Sequence, residues 1–202
     1  MNTNKTIKIA VLSLLINIAY AAVNVALGLI SPSAWFVTMG AYYLVLAVVR
    51  FVALISSKKE ENPFLLGFSS VLFMTLSLPL IGMVILSSAR ERGMELHEIL
   101  MITMALYAFT KVTLAIINLC EARKYKSDAV KVMRCVSFAD ALVPIASLQR
   151  SMLLSFGDMA EADIRLFNIL TGSGVCVIVF ILGLLLNKKK KYKDLVSRSF
   201  LF

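Results

Sequence analysis

Histidine is nearly missing from this chain. His97 is the single one in 202 residues. A zinc centre needs three or four ligands, and His97 with Glu95 and Glu98 reads more simply as a solvated helix start. Cysteine is scarce too, with Cys120, Cys135 and Cys176 the only three. The first two fall at the ends of apolar stretches, on the side assigned below to the reducing cytoplasm. Cys176 falls within an apolar stretch, and all three read as small apolar filler. There is no P-loop, no glycine pair following a strand and no nucleophile elbow. No base and nucleophile stand out as a pair. The chain therefore reads as a non-enzyme with no cofactor. Charge is the third shortage. Asp, Glu, Lys and Arg make up 16% of the chain, against about 25% in an average soluble domain.

What fills the space is apolar. Hydrophobic residues make up 59%, where a soluble domain carries about 45–50%, and the mean hydropathy is +0.85. This excludes a disordered chain and argues against a water-soluble globule. Six stretches meet the length of about 20 apolar residues that a membrane-crossing helix needs. They are Ile7–Ile30, Ser33–Ile55, Phe64–Leu86, His97–Leu119, Cys135–Phe156 and Leu166–Leu186. Strands with open edges cannot satisfy their backbone in lipid. The expected fold class is thus all-α, one polytopic six-helix domain with a basic tail over 187–202. The first stretch is too long for the apolar region of a signal peptide, and no small-residue cleavage site follows it.

The basic residues set a direction. Lys5 and Lys8 precede the first stretch, and Lys58 and Lys59 follow the second. Arg123, Lys124, Lys126, Lys131 and Arg134 join the fourth to the fifth, and Lys188 to Lys191, Lys193 and Arg198 follow the sixth. These are alternate connections and share one side. The other side has Ser31-Pro32-Ser33, a segment where Arg90 and Arg92 are offset by Glu91, Glu95 and Glu98, and the acidic run from Asp158 to Asp163. The positive-inside rule then gives cytoplasmic termini in a bacterial inner membrane. It also accounts for the net charge of +9. Nucleic acid, which wants a contiguous basic surface, is not an expected partner. The bilayer is. A small-molecule or ion substrate, an anionic lipid at the lysine-rich tail and a homodimer are the other partners left open.

An internal repeat is visible. Tyr20-Ala-Ala-Val-Asn-Val-Ala-Leu-Gly-Leu-Ile30 and Tyr107-Ala-Phe-Thr-Lys-Val-Thr-Leu-Ala-Ile-Ile117 agree at five of eleven positions. The second and fifth stretches align so that Ala41 meets Ala141 and Arg50 meets Arg150. The expected unit is three helices used twice, over 7–86 and 97–186. An odd number of spans inverts the second copy, the layout of many secondary transporters with a midplane site.

An ionisable group within a span costs at least about 2.5–3.5 kcal/mol. Four occur: Arg50, Lys111, Asp140 and Arg150. Helical spacing puts Asn17, Ala21, Asn24 and Gly28 on one face of the first span, and Gly40, Tyr43, Ala47 and Arg50 on one face of the second. Tyr107, Lys111, Ala115 and Asn118 share a face of the fourth, and Ser137, Asp140, Pro144, Ser147 and Ser151 a face of the fifth. These stripes should point into the bundle. Asp140, the one deep acid, should pair with Lys111 or Arg50. Arg50 and Arg150 could instead snorkel to the interfaces. Pro79, Pro144 and Gly172-Ser173-Gly174 are expected helix breaks.

Three segments resemble, as a set, small six-span membrane proteins of Firmicutes-type bacteria without an assigned function. They are Ser33–Phe51, Ala105–Leu119 and Ser137–Gln149. A fainter resemblance is to the transmembrane domain of cation diffusion facilitators, carried by Gly28-Leu-Ile-Ser-Pro-Ser33 and Phe138-Ala-Asp-Ala-Leu142. That family places metal ligands one turn apart on its second and fifth helices. Here Asp140 is kept, but Val143 and Pro144 follow it, and the second stretch offers Met39, Tyr42 and Tyr43. No metal site is expected.

The leading expectation is a small secondary transporter or carrier for a small, anionic solute. Asn24, Lys111 and Asp140 would form its midplane site, with Tyr107 and Asn118 beside them and Arg50 and Arg150 as gates or charge partners. A non-catalytic scaffold or accessory subunit is the alternative. A degenerate cation-efflux transporter is weaker, and so is the substrate-binding subunit of a vitamin uptake system, which the short Ser31-Pro32-Ser33 loop would cap poorly. The orientation has a direct test. In a cysteine-free background, a cysteine at Ser57 or Lys191 should react with an impermeant maleimide only after the membrane is opened. A cysteine at Asp163 should react in intact cells.

Overall fold

The structure is a computed structural model that describes residues 3–30, 34–58, 61–89, 98–122, 127–156 and 160–199. The described residues form six α-helices and one 3-10 turn. They are α1 (Thr3–Ile30), α2 (Ala34–Ile55) with the turn Ser56–Lys58, α3 (Pro63–Ala89), α4 (Glu98–Glu121), α5 (Asp128–Phe156) and α6 (Glu161–Ser199). Four of them contain segments long and apolar enough to cross a membrane: Ala10–Ile30, Phe36–Ile55, Pro63–Leu86 and Ala162–Tyr192. A membrane protein follows from these four. Within their lengths α4 carries Lys111 and α5 carries Asp140.

Two antiparallel pairs are built on small residues. In α1 and α2, a Cβ on Gly28 would stand 2.9 Å from Val37 Cγ2, and one on Gly40 would stand 2.7 Å from Val25 Cγ2. Those glycines let the two backbones approach, the usual device where lipid supplies no hydrophobic drive between helices. The α3/α6 pair is the most extensive in the molecule. A Cβ on Gly183 would meet Met74 Cγ and the Ser70 carbonyl, each at 3.2 Å, and one on Gly172 would clash with Val84. The Ser70 hydroxyl donates to the Gly183 carbonyl at 2.8 Å.

The other contacts run in matching sets. α1 packs along α2 and α4 along α5; α2 meets α3 and α5 meets α6; α2 and α5 cross in the centre. Neither α1 nor α4 packs extensively on the other. The core lies where α2, α3, α5 and α6 converge, around Tyr42, Leu46, Phe73, Val136 and Val179. Much of the outer surface is apolar, including Leu12, Leu29, Leu78, Leu106 and Leu170.

Two expectations are corrected. Gly172-Ser173-Gly174 does not interrupt α6, which is continuous from Glu161 to Ser199. Gly172 serves helix contact instead, and Gly174 faces open space. Neither Pro79 nor Pro144 ends its helix. The stretch after Leu186 is helical through Ser199, and Lys189 is already engaged there. Its ammonium lies 3.2 Å from the fully buried Asp128 carboxylate, which also accepts the Asn62 backbone N–H at 3.0 Å. Asn62 in turn caps α3 by accepting the Leu65 N–H at 3.2 Å, with Pro63 at the first helical position, where a missing N–H costs nothing. Asp128 thus ties the starts of α3 and α5 to α6.

The glycines separate packing from helix propensity. Gly183→Val should lower stability by about 1–3 kcal/mol through overpacking, whereas Gly174→Ala should cause no loss. Thermal unfolding of both variants in detergent measures this.

Candidate functional site

Arg50, Lys111 and Asp140 come together where α2, α4 and α5 meet. α5 supplies the acid: Asp140 is 7% exposed and lies one turn before Pro144. Because Pro144 has no N–H, the Asp140 carbonyl loses its regular helical partner, so polar demand at this level of α5 is doubled. α4 brings Lys111, whose Nζ is 3.3 Å from Asp140 Oδ2. α2 brings Arg50, whose Nη2 stands 4.0 Å from the same oxygen.

Arg50 does not snorkel. It is 2% exposed and sits in the last two turns of α2. Side chains on a helix lean toward its N-terminus, so the guanidinium is carried back into the bundle. At 4.0 Å the carboxylate attracts it but is outside hydrogen-bond range. Among the described residues, no acceptor reaches Arg50 Nε, Nη1 or Nη2. Buried polar groups are normally satisfied, which makes this the most demanding group in the molecule.

Tyrosines surround the cluster. The Tyr42 hydroxyl donates to the Ala139 carbonyl at 2.8 Å, locking α2 to α5 beside Asp140. Tyr43 stands edge-on to Tyr42, with ring centroids 5.5 Å apart, and stacks on Tyr20 of α1 at 5.3 Å. Asp140, Tyr20 and Tyr107 are, with Tyr42, titratable groups near Tyr43. Lys111 Nζ lies 5.6 Å from the Tyr107 ring centroid, within cation–π range. Among the described residues, no group of three His, Cys, Asp or Glu side chains could hold a metal.

The expected site residues divide. Asp140 meets both of its candidate partners. The face Gly40, Tyr43, Ala47 and Arg50 is buried throughout. The Asn24 amide donates to the Tyr20 carbonyl of its own helix at 2.7 Å. Asn118 is half-buried on α4, two turns from Lys111. Tyr107 departs from the expected inward face, being 57% exposed, while Ala108 and Ala115 are buried. The side chains of Arg150, Ser147 and Ser151, and the segment with Glu95 and His97, lie outside the described residues. Tyr20 and Tyr42 were legible only as aromatics. Tyr20 shares its repeat position with Tyr107, the one signal that could have flagged it. Asn17 was placed on a buried face and is 1% exposed, with no partner for its amide nitrogen among the described residues. The three cysteines are free, with Cys120 exposed and Cys135 buried.

Compared with known protein families, with characterised proteins and with solved structures, the chain matches none.

Removing one member of a buried ion pair leaves an uncompensated charge. Asp140→Ala should therefore cost about 3–5 kcal/mol, and Lys111→Met added to it should recover a part. Thermal unfolding of both single variants and of the pair gives the coupling.

Proposed function

We propose that this protein is a small secondary transporter or carrier for a small anionic solute, with the Arg50–Asp140–Lys111 cluster as its binding and coupling site. The observation that carries the reading is the cluster itself, with Arg50 and Asp140 buried and Lys111 half-buried. Two cations and one carboxylate sit where three helices cross, at a cost in apolar surroundings that a structural role repays poorly.

In this reading all six helices cross the membrane, α4 and α5 being the polar spans that line the site. The exposed Leu106, Phe109, Leu114 and Ile117 on α4 support lipid contact there. The halves are inverted copies, and the matching contact sets support that: α1/α2 corresponds to α4/α5, and α2/α3 to α5/α6. Tyr20 and Tyr107, equivalent in the repeat, both neighbour Tyr43. The basic connections face the cytoplasm of a bacterial cell. A common origin with small six-span bacterial membrane proteins fits this reading; the cation-efflux alternative fits it less well, since Tyr42 and Tyr43 occupy α2 opposite Asp140. In operation, substrate or a proton reaches Asp140, the carboxylate releases Lys111, and the halves rock about the α2/α5 crossing.

The test is counterflow of labelled acetate, lactate and benzoate in proteoliposomes. Wild-type protein should accelerate exchange of at least one, and Lys111→Ala and Asp140→Ala should abolish it. Unchanged transport in both variants, with unchanged ligand-induced thermal shifts, would remove the reading in favour of a scaffold that copurifies with partners.

A further inference from the structure

The partners within the cluster are unequally shared. Asp140 is spent on Lys111 at 3.3 Å. Among the described residues, none of the three guanidinium nitrogens of Arg50 has a hydrogen-bond acceptor, and the residue is 2% exposed. A guanidinium holds five N–H donors in a rigid planar fork that matches the two oxygens of a carboxylate or phosphate. A lysine ammonium has no such shape. The unspent group is therefore the one with oxyanion geometry.

Charge then sets the valence. One net positive charge remains in the cluster, where Arg50 and Asp140 are 2% and 7% exposed. A monoanion on Arg50 completes two neutral pairs, whereas a dianion would leave a buried negative charge. The surroundings set the rest of the ligand. Tyr43 is buried beside Asp140, and the rings of Tyr20 and Tyr107 flank it while being more than half exposed. Aromatic faces thus lead from the surface to the cluster. They offer contact to an apolar body.

We propose that the cluster binds a monovalent oxyanion carried on an apolar body, held by the Arg50 fork, with Asp140 and Lys111 as a pre-neutralised pair that fixes the ligand's charge. This rests on the reading of the cluster as a ligand site and adds the ligand's valence and chemistry. A membrane-soluble carboxylate and the phosphodiester of an anionic lipid share that chemistry.

Calorimetry on the full chain in phosphatidylcholine nanodiscs distinguishes the outcomes, with benzoate as the monoanion and terephthalate as the dianion. Wild-type protein should favour benzoate by about tenfold or more, the scale of a charge-assisted hydrogen bond. Arg50→Lys, which keeps the charge and loses the fork, should weaken benzoate by a similar factor. Asp140→Asn frees a second cation and should turn the preference toward terephthalate. Asp140→Asn with Lys111→Gln returns the net charge to its original value and should restore benzoate, so the valence stays testable where the single variant folds poorly. Weaker benzoate binding in phosphatidylglycerol nanodiscs identifies the lipid phosphodiester as a competing occupant; unchanged binding identifies the free acid. Full benzoate affinity in Arg50→Lys, an unaltered preference in both Asp140 variants, or no benzoate binding to wild-type protein would overturn the proposal. Benzoate binding without flux would remove the carrier reading and leave this one in place.

Discussion

A charge carried into an apolar medium must find a partner there or be driven out, and in this protein the partner is the Asp140 carboxylate. It stands 3.3 Å from Lys111 and 4.0 Å from Arg50, so α4 and α2 are both drawn to one oxygen of α5. The rest of the centre is arranged around it. Tyr42 ties α2 to the residue before Asp140. Pro144 frees the carbonyl of Asp140 itself. Glycines in the outer pairs α1/α2 and α3/α6 let those helices close around the central crossing.

The same constraint explains why the cluster reads as functional rather than as a fastener. Well-packed apolar residues generally stabilise a core as well as a buried ion pair does. The fold already has fasteners whose donors and acceptors meet within hydrogen-bond range. Asp128, Lys189 and Asn62 join three helices near the ends of α3, α5 and α6, and the Ser70 hydroxyl bonds α3 to α6. A buried arginine with no hydrogen-bond acceptor among the described residues adds little to these. Under the proposed function, its acceptor arrives from outside.

Much of this was legible in the residues. Helix content followed from apolar stretches of membrane length, and the convergence of Arg50, Lys111 and Asp140 followed from their rarity in such stretches. The burial of Arg50 was not legible, because a helix-end arginine can lean either way until its neighbours are known. Gly172 and Gly174 look alike in sequence, yet one is pressed against Val84 and the other faces open space; only the partner helix separates them. Of the tyrosine shell, Tyr43 and Tyr107 were legible from helical spacing, whereas Tyr20 and Tyr42 were not, because aromatics serve interfaces, cores and ligands alike. Helical spacing placed Tyr107 inward, but the packed side of α4 is the small-residue line Ala108 and Ala115, since close approach to α5 favours small side chains over apolar bulk.

The most direct test of the central claim is the thermal unfolding of a triple variant, Arg50→Met, Lys111→Met and Asp140→Leu, with and without benzoate. If the cluster is a ligand site, the variant unfolds at or above the wild-type temperature, and benzoate stabilises the wild type alone. A variant that no longer folds, or one that benzoate still stabilises, contradicts the account.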